Sequence, residues 1–301
     1  MAQPIRIESL NPQARNRGLS LRRIAAIVTI AVALMIGISF FAIAAPVSAD
    51  AGVSPGSRPL VGVGSFPLNS SSAVGSYNWS GYAVTGSAGS VTSVSGSWTV
   101  PSETCTSSQT YAAFWVGIDG FNSGTVEQTG TLAECIGGTP YNFAWYEFYP
   151  SSLVELWTVS TGDSISASVT YSASTNKFTT TVTDTTSKTS YTTLPTSVTG
   201  AKESSAEWIA EAPSSYNGIL PLADFGTVNF GSSLATISGH SGSINSFTSV
   251  YAITMISSSG AKEAVPSALS TDGTSFSVTW MPTNTSTTSS TSTHSSTKHH
   301  H

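Results

Sequence analysis

Charge is what this chain has least of. Only 9% of its 301 residues are Asp, Glu, Lys or Arg. Beyond Ala49 there is one arginine, Arg58, and five lysines, against 15 acidic residues. A nucleic-acid binder needs a basic patch to meet phosphates, and no such cluster exists here, so nucleic acid is excluded as a partner. Histidine is nearly absent from the body of the chain. His240 stands alone there, in the turn-like Ser238-Gly239-His240-Ser241-Gly242, and any Ser/His/Asp triad would have to use it. A surface loop is the simpler reading of that histidine. There is no HExxH, no Gly-rich phosphate loop and no D-[ST]-G of the aspartic peptidases. We therefore expect no metal and no cofactor. Helical periodicity is missing too: past the N-terminal run, no window of 12 or more residues carries it.

Cysteine is scarce but paired. In an exported chain an even count reads as a disulfide, so Cys105 and Cys135 are expected to bridge and tie the base of the hairpin they flank. Export itself is read from residues 1–49. Arg15, Arg17, Arg22 and Arg23 form a basic start, Ile24 to Ala45 is uncharged and apolar, and Val47-Ser48-Ala49 is a small-x-small cleavage site. About 20 apolar residues span a bilayer, so an uncleaved N-terminal membrane anchor is the alternative. Either way the bulk of the chain is expected outside the cell, as a monomer.

Residues 50–75 read as a linker or short pro-segment, rich in Ser, Gly and Pro. Residues 283–301 are almost all Ser, Thr and Asn with a terminal His run, too poor in apolar side chains to fold. Asn69, Asn78 and Asn284 begin N-x-[ST] glycosylation patterns. Between these ends, residues 76–282 form strand after strand, separated by Gly/Ser/Thr turns. Val, Ile, Thr, Tyr and Trp dominate runs such as Val91 to Val100, Tyr141 to Tyr149, Lys177 to Asp184 and Val250 to Ile256. The prediction is one all-β domain, an antiparallel sandwich of two sheets of jelly-roll or concanavalin-like type.

The chemistry concentrates in two stretches. Phe114 to Gly130, FWVGIDGFNSGTVEQTG, reads as a hairpin. Strand alternation puts Trp115, Gly117 and Asp119 on one face, with Gln128 on the return strand. In AEWIAEAP, Ala206 to Pro213, the same alternation puts Glu207, Ile209 and Glu211 together. Glu147 lies between aromatics in WYEFYP. Carboxylates in apolar settings are suited to proton transfer, because burial raises their pKa.

These segments resemble the glutamic peptidases, the eqolisins or pepstatin-insensitive acid peptidases. NWSGYAV (78–84), SGSWTVP (95–101), FWVGIDG with EQTG (114–130), AWYEFYP (144–150), AEWIAEAP (206–213) and LADFGTVNF (222–230) occur in the family's order. Six motifs in order are far more specific than any one. The resemblance implies a sandwich of two antiparallel sheets, polypeptide substrates and a catalytic Gln/Glu dyad. The glutamine falls on Gln128 and the glutamate on Glu211, with Glu207 as its rival. Trp79, Trp115, Asp119 and Glu147 correspond to positions lining the substrate groove. The chain departs from the fungal pattern after QTG, with Thr131-Leu132 in place of a further acidic residue.

Two other functions suit parts of the same pattern. Glu147 with Glu207 or Glu211 could serve a glycoside hydrolase, and Trp and Tyr platforms could serve a carbohydrate-binding module. Gln128 has no required role in either. One physical consequence is common to all three. Acid unfolding works largely by protonating carboxylates that are paired in the native state, and this chain has few to protonate. We predict that its melting temperature at pH 3 stays close to that at pH 7, and a collapse at pH 3 in a calorimetric scan refutes this.

Overall fold

The structure, a computed structural model, describes residues 66–68 and 71–282. The expected signal segment, most of the expected linker, the Ser/Thr tail and the patterns at Asn69 and Asn284 lie outside the described residues.

The strands, in chain order, are β1 (Phe66–Leu68), β2 (Ser71–Ser76), β3 (Trp79–Thr85), β4 (Val91–Thr99), β5 (Thr110–Ile118), β6 (Val126–Ile136) and β7 (Thr139–Tyr149). There follow β8 (Val154–Thr158), β9 (Ser164–Ser172), β10 (Lys177–Asp184), β11 (Thr189–Thr192), β12 (Ser205–Glu211), β13 (Ser214–Ser215) and β14 (Gly218–Ile219). The last are β15 (Thr227–Ile237), β16 (His240–Ser243), β17 (Val250–Ile256), β18 (Lys262–Pro266) and β19 (Phe276–Trp280). A single 3-10 turn, Ile244–Ser246, is the only helical element among the described residues. The missing helical period in the sequence agrees with that.

Apart from the small β13–β14 pair, the strands form one hydrogen-bonded sheet of 17 that doubles back on itself. One half runs β1-β2-β17-β3-β12-β5-β6-β7-β8. The other runs β18-β19-β15-β4-β9-β10-β11, and the β17–β18 pair joins the two. The ladders are antiparallel except β2 with β17. The all-β, two-layer fold expected from the sequence is therefore the fold observed.

Burial follows the layers. Along β10, Phe178, Thr180, Val182 and Asp184 are buried and their neighbours are not, the alternation of a strand with one covered face. In β5 and β12 nearly every residue is buried, because both faces are covered. The main core fills the space between the halves, with Trp98, Phe114, Val116, Phe178, Trp208 and Phe230 among its members. The Trp208 indole N–H reaches across to donate to the Ser95 carbonyl at 2.7 Å. A second apolar cluster lies on the opposite face of the first half. It is built from Trp79, Ala113, Trp115, Leu132, Phe143, Trp145 and Ile209. That second cluster surrounds the site.

Several boundaries differ from those read in the sequence. The return strand of the hairpin runs to Ile136 rather than stopping at Thr129, so Cys135 lies inside it. Strand pairing also begins before residue 76, inside the stretch expected to be a linker: β1 pairs with β2, and β2 with β17. Edge pieces such as β16 and β18 are too short and too polar to show a period.

Cys105 and Cys135 are joined, with 30 residues of separation. Closing a loop of that length removes chain entropy from the unfolded state worth about 3 kcal/mol. A Cys105→Ser/Cys135→Ser double variant should lose about that much in a urea titration, and an unchanged midpoint would show the bridge to be dispensable.

Candidate active site

Register decides which side chains meet. β12 lies beside β5, β5 beside β6, and β6 beside β7, and three cross-strand rows cross them on the face away from the main core. The first is Glu207–Gly117–Gln128–Glu147, the second Ile209–Trp115–Gly130–Trp145, and the third Glu211–Ala113–Leu132–Phe143. On its other side, β12 pairs with β3, setting Trp79 opposite Glu211. Gln128, Glu147, Glu207, Glu211, Trp79 and Trp115 thus converge on one face, and all are fully buried. Leu132, at the departure from the fungal pattern, gives Glu211 an apolar row.

Gln128 and Glu211 stand two rows apart, about 13 Å along the strands at 3.3 Å per residue. Trp115 bridges that gap. Its indole lies lengthwise on the face: the six-membered ring sits over Gly117, where an added Cβ would come within 2.8 Å of it. The other end donates from Nε1 to Glu211 Oε2 at 2.8 Å. Gly130 makes room at the base, since a Cβ there would approach the Phe114 carbonyl oxygen to 2.0 Å. Trp79 packs edge-on against Trp115, with ring centroids 4.9 Å apart.

The other Glu211 oxygen accepts from Asn78 Nδ2 at 3.1 Å. Asn78 is oriented in turn by Ser76, whose hydroxyl donates to its Oδ1 at 3.3 Å and accepts from the Trp79 amide at 3.0 Å. Gln128 is fixed by Glu147, with Nε2 donating to Glu147 Oε2 at 2.7 Å. That bond sets which end of the amide faces which neighbour.

Asn78 fits the glycosylation pattern in sequence, but it is 1% exposed and committed to Glu211, so it carries no glycan in this fold. Its role as a donor was missed in the sequence, although it opens the NWSGYAV segment. His240 is exposed at the start of β16, as its turn-like setting suggested.

Asp119 sits otherwise than strand alternation predicts, while Glu207 sits on the predicted face. Asp119 lies beyond the end of β5 in the left-handed region, with φ 70°, which breaks the alternation with Trp115 and Gly117. Instead of lining a groove, its carboxylate accepts from the Lys202, Glu203 and Ser204 amides at 2.6, 2.8 and 3.0 Å. Glu207 shares Gln128's row, yet neither of its oxygens has a fully formed hydrogen bond. Burial, first of all, pushes its carboxyl well above the usual range, and Asp119 and Glu127 add to the shift. The nearby Ser205 hydroxyl and Phe121 amide offset this only in part.

Comparison with known proteins places this geometry in context. A sequence profile described as the Peptidase A4 family matches residues 77–298. Aspergillopepsin-2 of Aspergillus niger is 34% identical over 189 residues, which is 54% of this chain. The chain spans 66% of that relative's length, just under two thirds. A structure of scytalido-glutamic peptidase with a peptide-based transition state analog superposes with a TM-score of 0.58 at 29% identity, over 68% of this chain and 98% of the other. Aspergilloglutamic peptidase from Aspergillus niger gives a TM-score of 0.51 at 30% identity, over 57% and 99%.

The Trp115–Glu211 bond yields a prediction independent of any assay of function. Trp115→Phe keeps most of the ring but removes the indole donor to that carboxylate oxygen. Loss of a hydrogen bond to a buried charge costs about 1.5–3 kcal/mol. The variant should therefore unfold at lower urea than the wild type, and equal stability would show the contact to be weak.

Proposed function

The chain belongs to the peptidase A4 family, and from that premise we propose that it is a secreted acid endopeptidase cleaving peptide bonds with Gln128 and Glu211. The observation that carries most weight is the contrast between the two rival glutamates. Glu211 is gripped by two N–H donors, Trp115 Nε1 and Asn78 Nδ2, as suits an ionised carboxylate. Glu207 has no donor in full hydrogen-bonding geometry, and its burial favours the neutral acid. A general base must be ionised to accept a proton, so Glu211 is the better base.

In the proposed reaction, Glu211 takes a proton from a water molecule as the water oxygen attacks the peptide carbonyl carbon. The carbonyl π electrons move to oxygen. The Gln128 amide carries two N–H donors. One holds Glu147, and the other is assigned to the developing oxyanion, a contribution worth about 3–4 kcal/mol. When the tetrahedral intermediate collapses, the C–N bond breaks and Glu211 returns its proton to the leaving amine. Glu147 acts through Gln128 by holding the amide in one orientation. Trp79 and Trp145 carry buried indole N–H groups with no partner in the protein, on this same face. Carbonyls of an extended peptide would satisfy both.

The sugar readings fare worse. Glu147, the acid that the glycosidase reading would need, is bonded to Gln128, and neither reading gives Gln128 a role. Export rests on the basic start and apolar run of residues 1–49, and the disulfide suits an oxidising compartment. Among the described residues no helix is long and apolar enough to cross a membrane.

The test is hydrolysis of denatured casein or haemoglobin across acid pH with pepstatin present. We expect cleavage in wild type and in Glu207→Gln, and a loss of about a hundredfold or more in Gln128→Ala and Glu211→Gln. Loss in Glu207→Gln with activity retained in Glu211→Gln would move the base by four residues. A rate maximum above pH 7, or no cleavage by folded protein, would overturn the assignment.

A further inference from the structure

Four carboxyl groups meet at one end of the Gln128 hairpin, and the proposed mechanism uses none of them. They come from the turn after β5 (Asp119), from β6 (Glu127), from the lead-in to β12 (Glu203) and from β12 (Glu207). Asp119 straps the hairpin turn to that lead-in. Its carboxylate takes three backbone amides and the Ser204 hydroxyl, and its own amide donates to the Ser205 carbonyl at 3.0 Å. The strap therefore ties the end of β5, the strand paired with the one bearing Gln128, to the start of the strand bearing Glu211.

Glu127 and Glu207 are different. Both are fully buried, and none of their oxygens has a partner in full hydrogen-bonding geometry. The hydroxyls of Thr125 and Ser205, also buried and also without partners, lie beside them. A neutral carboxyl can donate to such a hydroxyl, whereas an anion at Glu127 faces Asp119 and Glu203 and one at Glu207 faces Asp119 and Glu127. Lys202, exposed, is the one cation acting on the group and it offsets Glu203, while Tyr171 senses the same glutamate. Burial is the leading reason that Glu127 and Glu207 hold their protons well above the usual carboxylate range. The direction on stability follows. A group that binds its proton more tightly when folded stabilises fully below the ordinary carboxylate pKa, and that contribution is lost as pH rises.

We propose that Glu127 and Glu207 are positioning residues that work in their neutral form: protonated, they let the Asp119 strap hold the two dyad strands in register, and their ionisation loosens it and sets the upper pH limit of activity. Only the link to activity rests on the peptidase reading above, since the strap is a property of the fold.

Amide hydrogen exchange of the full chain tests it, followed at Lys202, Glu203 and Ser204 as pH is raised. In wild type, protection of these amides should fall at a lower pH than protection of the main-core strands. In Glu127→Gln/Glu207→Gln that fall should move up by about one pH unit or more, and the alkaline limb of the rate profile should move with it. A folded double variant with an unchanged midpoint overturns the proposal. Should the double variant fail to fold, wild type alone decides. The infrared stretch of a buried protonated carboxyl must persist above the pH at which ordinary carboxyl groups ionise and fade together with strap protection, and its absence there overturns the proposal equally. If the exchange midpoint moves but no variant or wild type cleaves protein, the peptidase reading fails and the strap stands. If cleavage occurs but the midpoint does not move, the reverse holds.

Discussion

The bond from the Trp115 indole to Glu211 organises the site, because two catalytic candidates two rows apart need something to relate them. An indole laid along the sheet does so by its length, from Gly117 beside Gln128 to the Glu211 carboxylate. That placement has requirements. Gly117 and Gly130 must lack side chains, or the ring is displaced by a methyl group. Trp79 must close the edge. Asn78 and Ser76 must supply the second donor and orient it. Each requirement is met from a different strand, so the site is a property of the sheet's register rather than of any loop.

A chain with few charges has put several of its glutamates out of water, and donors decide what each can do. Glu211 has two N–H donors. Glu147 takes the Gln128 amide. Glu127 and Glu207 have no well-formed bond at all. In a medium of low polarity, an unpaired ion is costly and a neutral acid is cheap, so Glu127 and Glu207 hold their protons above the usual carboxylate range. Acid conditions suit that protonation, in keeping with a surface that depends little on ion pairs.

Much of this was legible in the chain. Alternating Val, Ile, Thr and aromatic runs announce an all-β fold because one face of a strand must be covered and the other need not be. The pair Gln128 and Glu211 stood out through the ordered motifs, and the cysteine pair through its even count. Less legible was Asp119: alternation assigns it to the face of Trp115, but alternation ends where φ turns positive, and nothing local marks that point. Asn78 was hidden for another reason. An N-x-[ST] pattern is read as surface, and only burial against β12 gives it a partner 133 residues away.

By itself the sequence determined the strand-rich fold, the scarcity of charge and the disulfide. These depend on composition and on neighbours a few positions apart. What distinguishes Glu207 from Glu211 is visible only in the tertiary structure. Both lie on the same side of one strand, so period-2 alternation treats them alike. What separates them is which strands lie alongside: Trp79 and Asn78 arrive at one end of β12, and an acidic turn arrives at the other. Hydrogen-bond donors brought from distant parts of the chain hold one glutamate, and burial raises the pKa of the other.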